Sequence, residues 1–172
     1  ELIPRSYNSS FHLEAKSDIS QSYIVTTDTS GLVYRIFFNE RIEKKEFMRC
    51  TSEHYFDLKD MDGDGSKDYI FLDQHKLKVF KDDKTLLLSY DFDNAINLPP
   101  VCYHFAATDR KIGVVSREKG QIYLINNDGS VYKGFPLGGR TMFSIGYLGN
   151  TISAFNLIVG GDDNFLYNYI VQ

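Results

Sequence analysis

Several residue types and patterns are scarce in this sequence. Cysteine occurs only twice, at Cys50 and Cys102, which is too few for a disulfide framework and the wrong spacing for a zinc knuckle. The formal charge is −4 and no run of basic residues exceeds two, so the chain lacks the electrostatic footprint of a nucleic-acid-binding protein. No apolar run approaches the roughly 20 residues that span a bilayer. We therefore expect no nucleic-acid partner and no membrane insertion.

Helical periodicity is also missing, and β-type patterns take its place. Aromatic residues make up 15% of the chain, and short runs of β-branched and aromatic residues are separated by Gly, Asp and Asn. Four pairs of such runs, each joined by a tight turn, predict hairpins. The sequence thus predicts an all-β fold. The predicted hairpins cover residues 22–38, 69–80, 112–125 and 157–170.

The predicted hairpins recur at a regular spacing. Tyr34, Val79, Tyr123 and Tyr167 follow one another at intervals of 45, 44 and 44 residues. A repeat of about 40–50 residues with four short strands is typical of β-propeller blades. We predict blades of four antiparallel strands in a single domain, and the alternative is a β-sandwich with evenly spaced hairpins. The four predicted blades cover approximately residues 10–50, 51–98, 99–138 and 139–172.

Further strands are predicted on both sides of the hairpins. The fourth unit is an exception, because the chain ends just after its third strand. An unpaired strand edge is rarely left exposed, so we expect the four blades to be the C-terminal part of a larger propeller, or the edge to pair with a second copy. The predicted inner strands are residues 11–15, 55–58, 103–107 and 142–147, and the predicted outer strands are residues 45–49, 85–90 and 130–135.

Acidic residues and glycines alternate in the stretch D-M-D-G-D-G-S-K-D, residues 60–68. Carboxylates at positions 1, 3 and 5 of a tight loop converge, and hard oxygen ligands at this density suit calcium better than zinc or copper. An EF-hand needs a Glu at position 12, which is Phe71 here, and flanking helices where these flanks predict strands. A metal-free Asp/Gly hairpin is the alternative. The predicted calcium ligands are Asp60, Asp62, Asp64, the backbone carbonyl of Ser66, and Asp68.

The loop resembles the D-x-D-G-D-G-x-x-D calcium loop of FG-GAP (integrin-α-like, VCBS-type) propeller blades, where it joins the first and second strands. The resemblance implies a calcium ion with a stabilising role. Only one ion is expected, because the corresponding turns at residues 108–111 and 149–152 do not contain several carboxylates. Residues 122–126 and 134–137 are similar to outer-blade sequence of bacterial cell-surface and periplasmic propellers, which implies an extracellular, cell-surface or periplasmic location. The absence of Trp argues against quinoprotein, WD40 and sialidase-type blades.

Residues typical of catalysis are scattered along the chain. No nucleophile elbow or phosphate loop is present. We therefore expect a noncatalytic binding or scaffold module that contacts a protein or a glycan. The alternative is the propeller portion of a carbohydrate-active enzyme, such as a polysaccharide lyase or hydrolase. That alternative requires convergence on one face of residues such as His54, His104, Asp109 and Arg140.

Overall fold

The computed structural model describes residues 8–147 and 154–172, and its regular structure is almost entirely β-strand. One short 3₁₀ helix, Ile19–Gln21, precedes β2. Within the described residues no helix has the length and apolar character that crossing a membrane requires. The strands are β1 (His12–Glu14), β2 (Tyr23–Thr27), β3 (Val33–Phe37), β4 (Ile42–Lys45), β5 (Tyr55–Lys59), β6 (Asp68–Asp73), β7 (Lys76–Phe80), β8 (Leu86–Asp91), β9 (Val101–His104), β10 (Arg110–Ser116), β11 (Gln121–Asn126), β12 (Leu137–Gly138), β13 (Ser144–Gly146), β14 (Phe155–Gly160) and β15 (Leu166–Val171).

The strands form four sheets in which chain order and spatial order coincide. The first sheet is β1-β2-β3-β4, the second β5-β6-β7-β8, the third β9-β10-β11-β12 and the fourth β13-β14-β15. Every neighbouring pair of strands is antiparallel. The predicted all-β fold with four-stranded antiparallel sheets is confirmed, and the fourth sheet has three strands within the described residues.

Three hydrophobic clusters pack consecutive sheets face to face. One joins the first sheet to the second, one the second to the third, and one the third to the fourth. Because side chains alternate between the two faces of a strand, a sheet in the middle of this series buries both faces. In β6, Phe71 belongs to the cluster with the first sheet and Leu72 to the cluster with the third. The clusters of the described residues make an open series of four sheets, not a closed ring.

The predicted repeat holds to within one residue. Val79 and Tyr123, which the spacing aligns, lie in the same cluster from opposite sides, so they face each other. The residue of the second sheet that is equivalent to Tyr123 is Lys78, the neighbour of Val79, because Lys78 pairs with Phe71 on the face towards the preceding sheet. A difference of one residue along a strand places the side chain on the other face of the sheet.

Two predicted outer strands lie elsewhere in the structure. The fourth strand of the first sheet is Ile42–Lys45, which ends at the first of the predicted residues 45–49. In the third sheet it is Leu137–Gly138, and the predicted residues 130–135 contribute only a bridge between Val131 and Ile125. Both segments lie at sheet edges, where pairing with one neighbour alone leaves strand bounds weakly fixed by the sequence.

The two cysteines are free and lie in different parts of the fold. Cys50 follows the first sheet, and Cys102 lies in β9 of the third. Burial raises the pKa of each thiol to about 12. Burial therefore favours the neutral thiol at physiological pH in both residues.

Candidate metal centre

The acidic loop connects β5 to β6 and is closed by its own carboxylates. Asp60 Oδ1 accepts the Gly63 N–H at 2.7 Å, and Asp60 Oδ2 accepts the Gly65 N–H at 3.2 Å. Asp62 accepts from the N–H of Asp64 at 3.1 Å. Gly63 and Gly65 have φ values of 83° and 86°, which residues with a side chain rarely adopt. The alternating Asp-Gly sequence therefore folds the chain into successive side-chain-capped turns.

Three of the four predicted carboxylate ligands converge. One oxygen from each of Asp60, Asp62 and Asp68 lies within 4.8 Å of the others. Asp68 is only 1% exposed, and its Oδ2 accepts the N–H of Met61 at 2.7 Å. Asp64 lies outside this group, and its Oδ1 accepts the Ser66 N–H at 2.7 Å. The loop thus brings together Asp60, Asp62 and Asp68, with Asp64 and Ser66 on its exposed side.

Lys81 supplies positive charge to the exposed side of the loop. Its Nζ lies 2.5 Å from Asp62 Oδ2 and 2.7 Å from Asp64 Oδ2. These hydrogen bonds raise the pKa of Lys81, and the contact with Lys81 lowers the pKa of Asp64. The ammonium group therefore occupies oxygens that a metal ion would also use.

The pKa of Asp68 is shifted in the opposite direction to that of Asp64. Burial raises its pKa to about 6, and the charges of Asp62 and Asp64 act in the same direction. A carboxylate that is buried among other carboxylates resists ionisation unless a cation lies close to it. The most deeply buried carboxylate of the loop is thus the one whose ionised form a nearby cation would stabilise most.

The third sheet holds the inner side of the loop. Arg110 at the start of β10 donates from Nη1 to the Asp60 carbonyl at 3.0 Å, and its Nη2 lies 3.4 Å from Asp60 Oδ2. A Cβ on Gly63 would lie 2.5 Å from the carbonyl oxygen of Ala107, in the β9–β10 connection. Met61 is 1% exposed and packs into the cluster between the second and third sheets. The loop is therefore part of the contact between two sheets.

The arrangement fits a hard divalent cation. Carboxylate oxygens from three residues converge, and a fourth carboxylate, Asp64, belongs to the same loop. Ligands of this kind select calcium, magnesium or manganese over softer transition metals. The sequence motif was sufficient to find the aspartates, whereas Lys81 and Arg110 could not be found in this way because they lie outside the motif and reach it only through the fold.

A polar groove of about 310 Å³ adjoins the loop, between the first and second sheets. The first sheet contributes Arg35, whose guanidinium lies 5.4 Å from the Tyr23 ring centre. The outer part of the acidic loop forms the other wall. Charged, hydroxyl and aromatic groups in one groove are suited to a polar ligand. The groove is lined in part by Glu14, Lys16, Tyr23, Arg35, Ser66 and Lys67.

The four residues considered for catalysis have separate partners. His54 is fully buried, and its ring nitrogens contact the Thr51 carbonyl at 2.6 Å and the Thr27 hydroxyl at 2.9 Å. His104 is exposed and lies 3.3 Å from a guanidinium nitrogen of Arg110. Asp109 pairs with Lys111, and Arg140 pairs with Asp162. His104 and Asp109 both lie at the β9–β10 connection, whereas His54 and Arg140 lie in other parts of the fold.

Comparison with known proteins adds no relative of established function. The chain matches no protein-family model, and no curated protein matches it. Within the chain itself, the turn of the fourth unit that corresponds to the acidic loop, at residues 149–152, lies outside the described residues.

Proposed function

We propose that this chain is a noncatalytic β-propeller binding or scaffold module in which one calcium ion stabilises the second blade. The observation that carries the proposal is the convergence of Asp60, Asp62 and Asp68 within 4.8 Å. Asp64 and the carbonyl of Ser66 complete the proposed set of ligands. The ion has a structural role, because the loop belongs to the contact between two sheets.

Charge supports the binding of a cation here. Four aspartates lie within nine residues, and the buried Asp68 carboxylate has a raised pKa of about 6. Lys81 neutralises only the exposed side of the loop, at Asp62 and Asp64. A calcium ion among Asp60, Asp62 and Asp68 would favour ionised Asp68 and remove the repulsion between these side chains.

The binding role is assigned to the surface beside the loop. The groove between the first two sheets combines Lys16, Lys67 and Glu14 with the ring of Tyr23, a mixture that suits a glycan or a polar protein segment. Because Ser66 and Lys67 belong to both the loop and the groove, calcium would fix one wall of the groove. We place the module in an extracellular, cell-surface or periplasmic setting, on the resemblance of the loop to FG-GAP blades. No observation favours the carbohydrate-active enzyme, since its four candidate residues have separate partners.

Thermal unfolding with and without calcium tests the proposal. A ligand at about 100 times its Kd stabilises the folded state by roughly 2.7 kcal/mol, which for a chain of this size raises Tm by about 5–10 °C. We expect this shift for the wild-type chain on replacing EGTA with calcium, and its loss in Asp62→Asn.

Asp128→Asn is the matched control. Asp128 also accepts hydrogen bonds within a turn, from the N–H and hydroxyl of Ser130 at 2.8 and 2.6 Å, but it lies outside the converging group. This variant should keep the full calcium shift. A wild-type Tm that is the same in EGTA and in calcium would exclude the calcium site, and a glycan array read in both conditions would show whether the groove depends on the ion.

A further inference from the structure

Exposed apolar side chains are concentrated in the first and last sheets. Among the described residues, the second sheet contributes one exposed large hydrophobic residue, Leu86, and the third sheet contributes none. A soluble chain rarely leaves apolar side chains grouped at two places unless something covers them. The exposed residues near the first sheet are Phe11, Leu13, Ile19, Phe38 and Ile42, and those near the last are Met142, Tyr147, Phe165, Leu166 and Ile170.

Aliphatic residues form a continuous row across the outer face of the first sheet. Leu13 pairs with Ile24, Ile24 with Ile36, and Ile36 with Ile42, so one residue from each strand contributes. Their neighbours Val25 and Val33 point to the other face and pack against the second sheet. We call these four residues the first-sheet row. Leu13 is 62% exposed and Ile42 is 36% exposed, so the row lies on an uncovered face.

The third sheet contains the equivalent row, and there it is covered. In its strands Ile112 pairs with Cys102 and with Ile125, and Ile125 forms a bridge with Val131. Each of these residues follows its counterpart in the first-sheet row by 88 or 89 positions, which is two repeats. Ile112 and Ile125 are fully buried against side chains of the second sheet such as Leu72 and Val79. The repeat therefore indicates what covers such a row. It is the face of the preceding sheet that points towards the next sheet in chain order.

Within the described residues, only the last sheet has no following sheet packed on the face that points away from its predecessor. Phe155, Leu157 and Val159 pack against the third sheet, so the alternate residues of β14 point outward. Ile158 is on this outer face, together with Leu166 and Ile170 from β15, which are 77% and 71% exposed. The two uncovered faces are thus the two halves of one type of contact.

We propose that the outer face of the last sheet packs on the first-sheet row of a second copy of this chain. The contact is head-to-tail, and two such contacts close two chains into a ring of eight sheets. A head-to-tail contact that closes gives a finite assembly, and eight blades lie within the range that propellers adopt. Each contact repeats the sheet-to-sheet packing that already occurs three times within one chain.

Sedimentation velocity of the full chain over about 1–100 μM tests the proposal. We expect a species of twice the 19.8 kDa chain mass. Leu13→Glu and Ile170→Glu each place a charge in a contact through a side chain that is already exposed, so the fold should tolerate them. Each variant should be unable to form the closed dimer, and its sedimentation should shift to the monomer. Leu86→Glu, at a side chain that is 49% exposed in the second sheet, is the matched control and should remain dimeric.

Mixing the two variants makes the test specific for head-to-tail packing. Leu13→Glu retains an intact last sheet and Ile170→Glu an intact first sheet, so the mixture can form one wild-type contact. We expect a heterodimer in the mixture where each variant alone is monomeric, while circular dichroism confirms that both are folded. A wild-type monomer at 100 μM would overturn the proposal. The first-sheet row and the outer face of the last sheet would then contact each other within one chain or bind a different protein. A dimer that only one of the two substitutions disrupts would overturn it as well, as would growth beyond the dimer.

Discussion

The β5–β6 and β9–β10 connections occupy the same place in adjacent sheets and are closed in different ways. In the third sheet the backbone closes the turn, because Phe105 and Ala106 donate to the Asp109 carbonyl at 2.9 and 3.1 Å. In the second sheet carboxylates perform this task, with Asp60, Asp62 and Asp64 accepting from backbone N–H groups. Closure by side chains leaves the second-sheet loop with several negative charges.

The two connections also differ in how their charge is balanced. The single acid of the third-sheet turn, Asp109, pairs with Lys111 two residues later, and Lys111 is itself held by Asn126 at 3.0 Å. The acidic loop depends on Lys81 and Arg110, which belong to other elements of the fold. The charge of the third-sheet turn is balanced within its own sheet, whereas the acidic loop also contacts Arg110 of the neighbouring sheet and, in our proposal, a calcium ion.

The largest expected effect comes from breaking the contact between these two connections. Gly63→Ala combines a φ of 83° with a Cβ only 2.5 Å from the Ala107 carbonyl oxygen. The left-handed conformation costs about 1–2 kcal/mol and the overlap with backbone adds about 1–3 kcal/mol. Urea denaturation should therefore show a loss of about 3 kcal/mol in the free energy of unfolding.

Gly65→Ala separates the two causes. Gly65 has a similar φ of 86°, but a Cβ there would meet nothing within 4 Å. We expect a loss of only about 1–2 kcal/mol, from backbone strain alone. Equal losses for the two variants would show that the close approach to the third sheet contributes nothing.

The effect of Asp68→Asn on the free energy of unfolding should change sign when calcium is added. Burial raises the folded-state pKa of Asp68 to about 6, so between pH 4 and 6 the folded state binds more protons than the unfolded state. Without calcium, stability should then fall as pH rises through this window, by on the order of 2–3 kcal/mol. The Asn side chain retains an oxygen for the Met61 N–H and carries no charge, so in EGTA at pH 7 the variant should be more stable than wild type.

Calcium should make the same variant the less stable protein. A bound ion favours ionised Asp68 in the wild type, whereas the neutral amide oxygen that replaces this carboxylate in the variant is a weaker ligand. Urea denaturation at pH 5 and pH 7, each in EGTA and in calcium, gives the four measurements. If Asp68→Asn is destabilising to the same extent in EGTA and in calcium at pH 7, Asp68 is only a hydrogen-bond acceptor.

The sequence was sufficient to predict those features of the fold that depend on local patterns. Alternating apolar residues and turn residues predicted the sheets and their order, because strand patterns and tight turns are local properties. The spacing of Tyr34 and Tyr123 was right in face as well as in number, since Ile36 and Ile125 two positions later occupy equivalent rows. The face of Val79 was missed because its neighbour Lys78 fits a spacing of 44–45 residues equally well, and one residue along a strand changes the face.

The candidate site was predictable to the same extent. Asp60, Asp62 and Asp68 follow from a motif whose residues are close in sequence. The motif does not predict that Asp64 lies outside the converging group. Its carboxylate contacts Lys81, which lies 17 residues further along the chain. Arg110 reaches Asp60 across 50 residues, only because the second and third sheets pack together. Charges that come from other elements depend on tertiary packing, which no single stretch of sequence encodes.

The smallest expected effect concerns competition between Lys81 and the ion. The Lys81 ammonium lies 2.5 Å from Asp62 Oδ2 and 2.7 Å from Asp64 Oδ2, so calcium must share these oxygens with it or displace it. Lys81→Gln should raise calcium affinity by up to about five-fold, as expected for the loss of one exposed ion pair. Lys76→Gln removes the same charge from the exposed far end of β7 and should change affinity less. Isothermal titration of the three proteins with calcium at low salt measures the difference. A decrease in affinity in Lys81→Gln would mean that Lys81 orders the loop for the ion, and the acidic loop would then depend on its neighbours even more than the comparison with the third-sheet turn indicates.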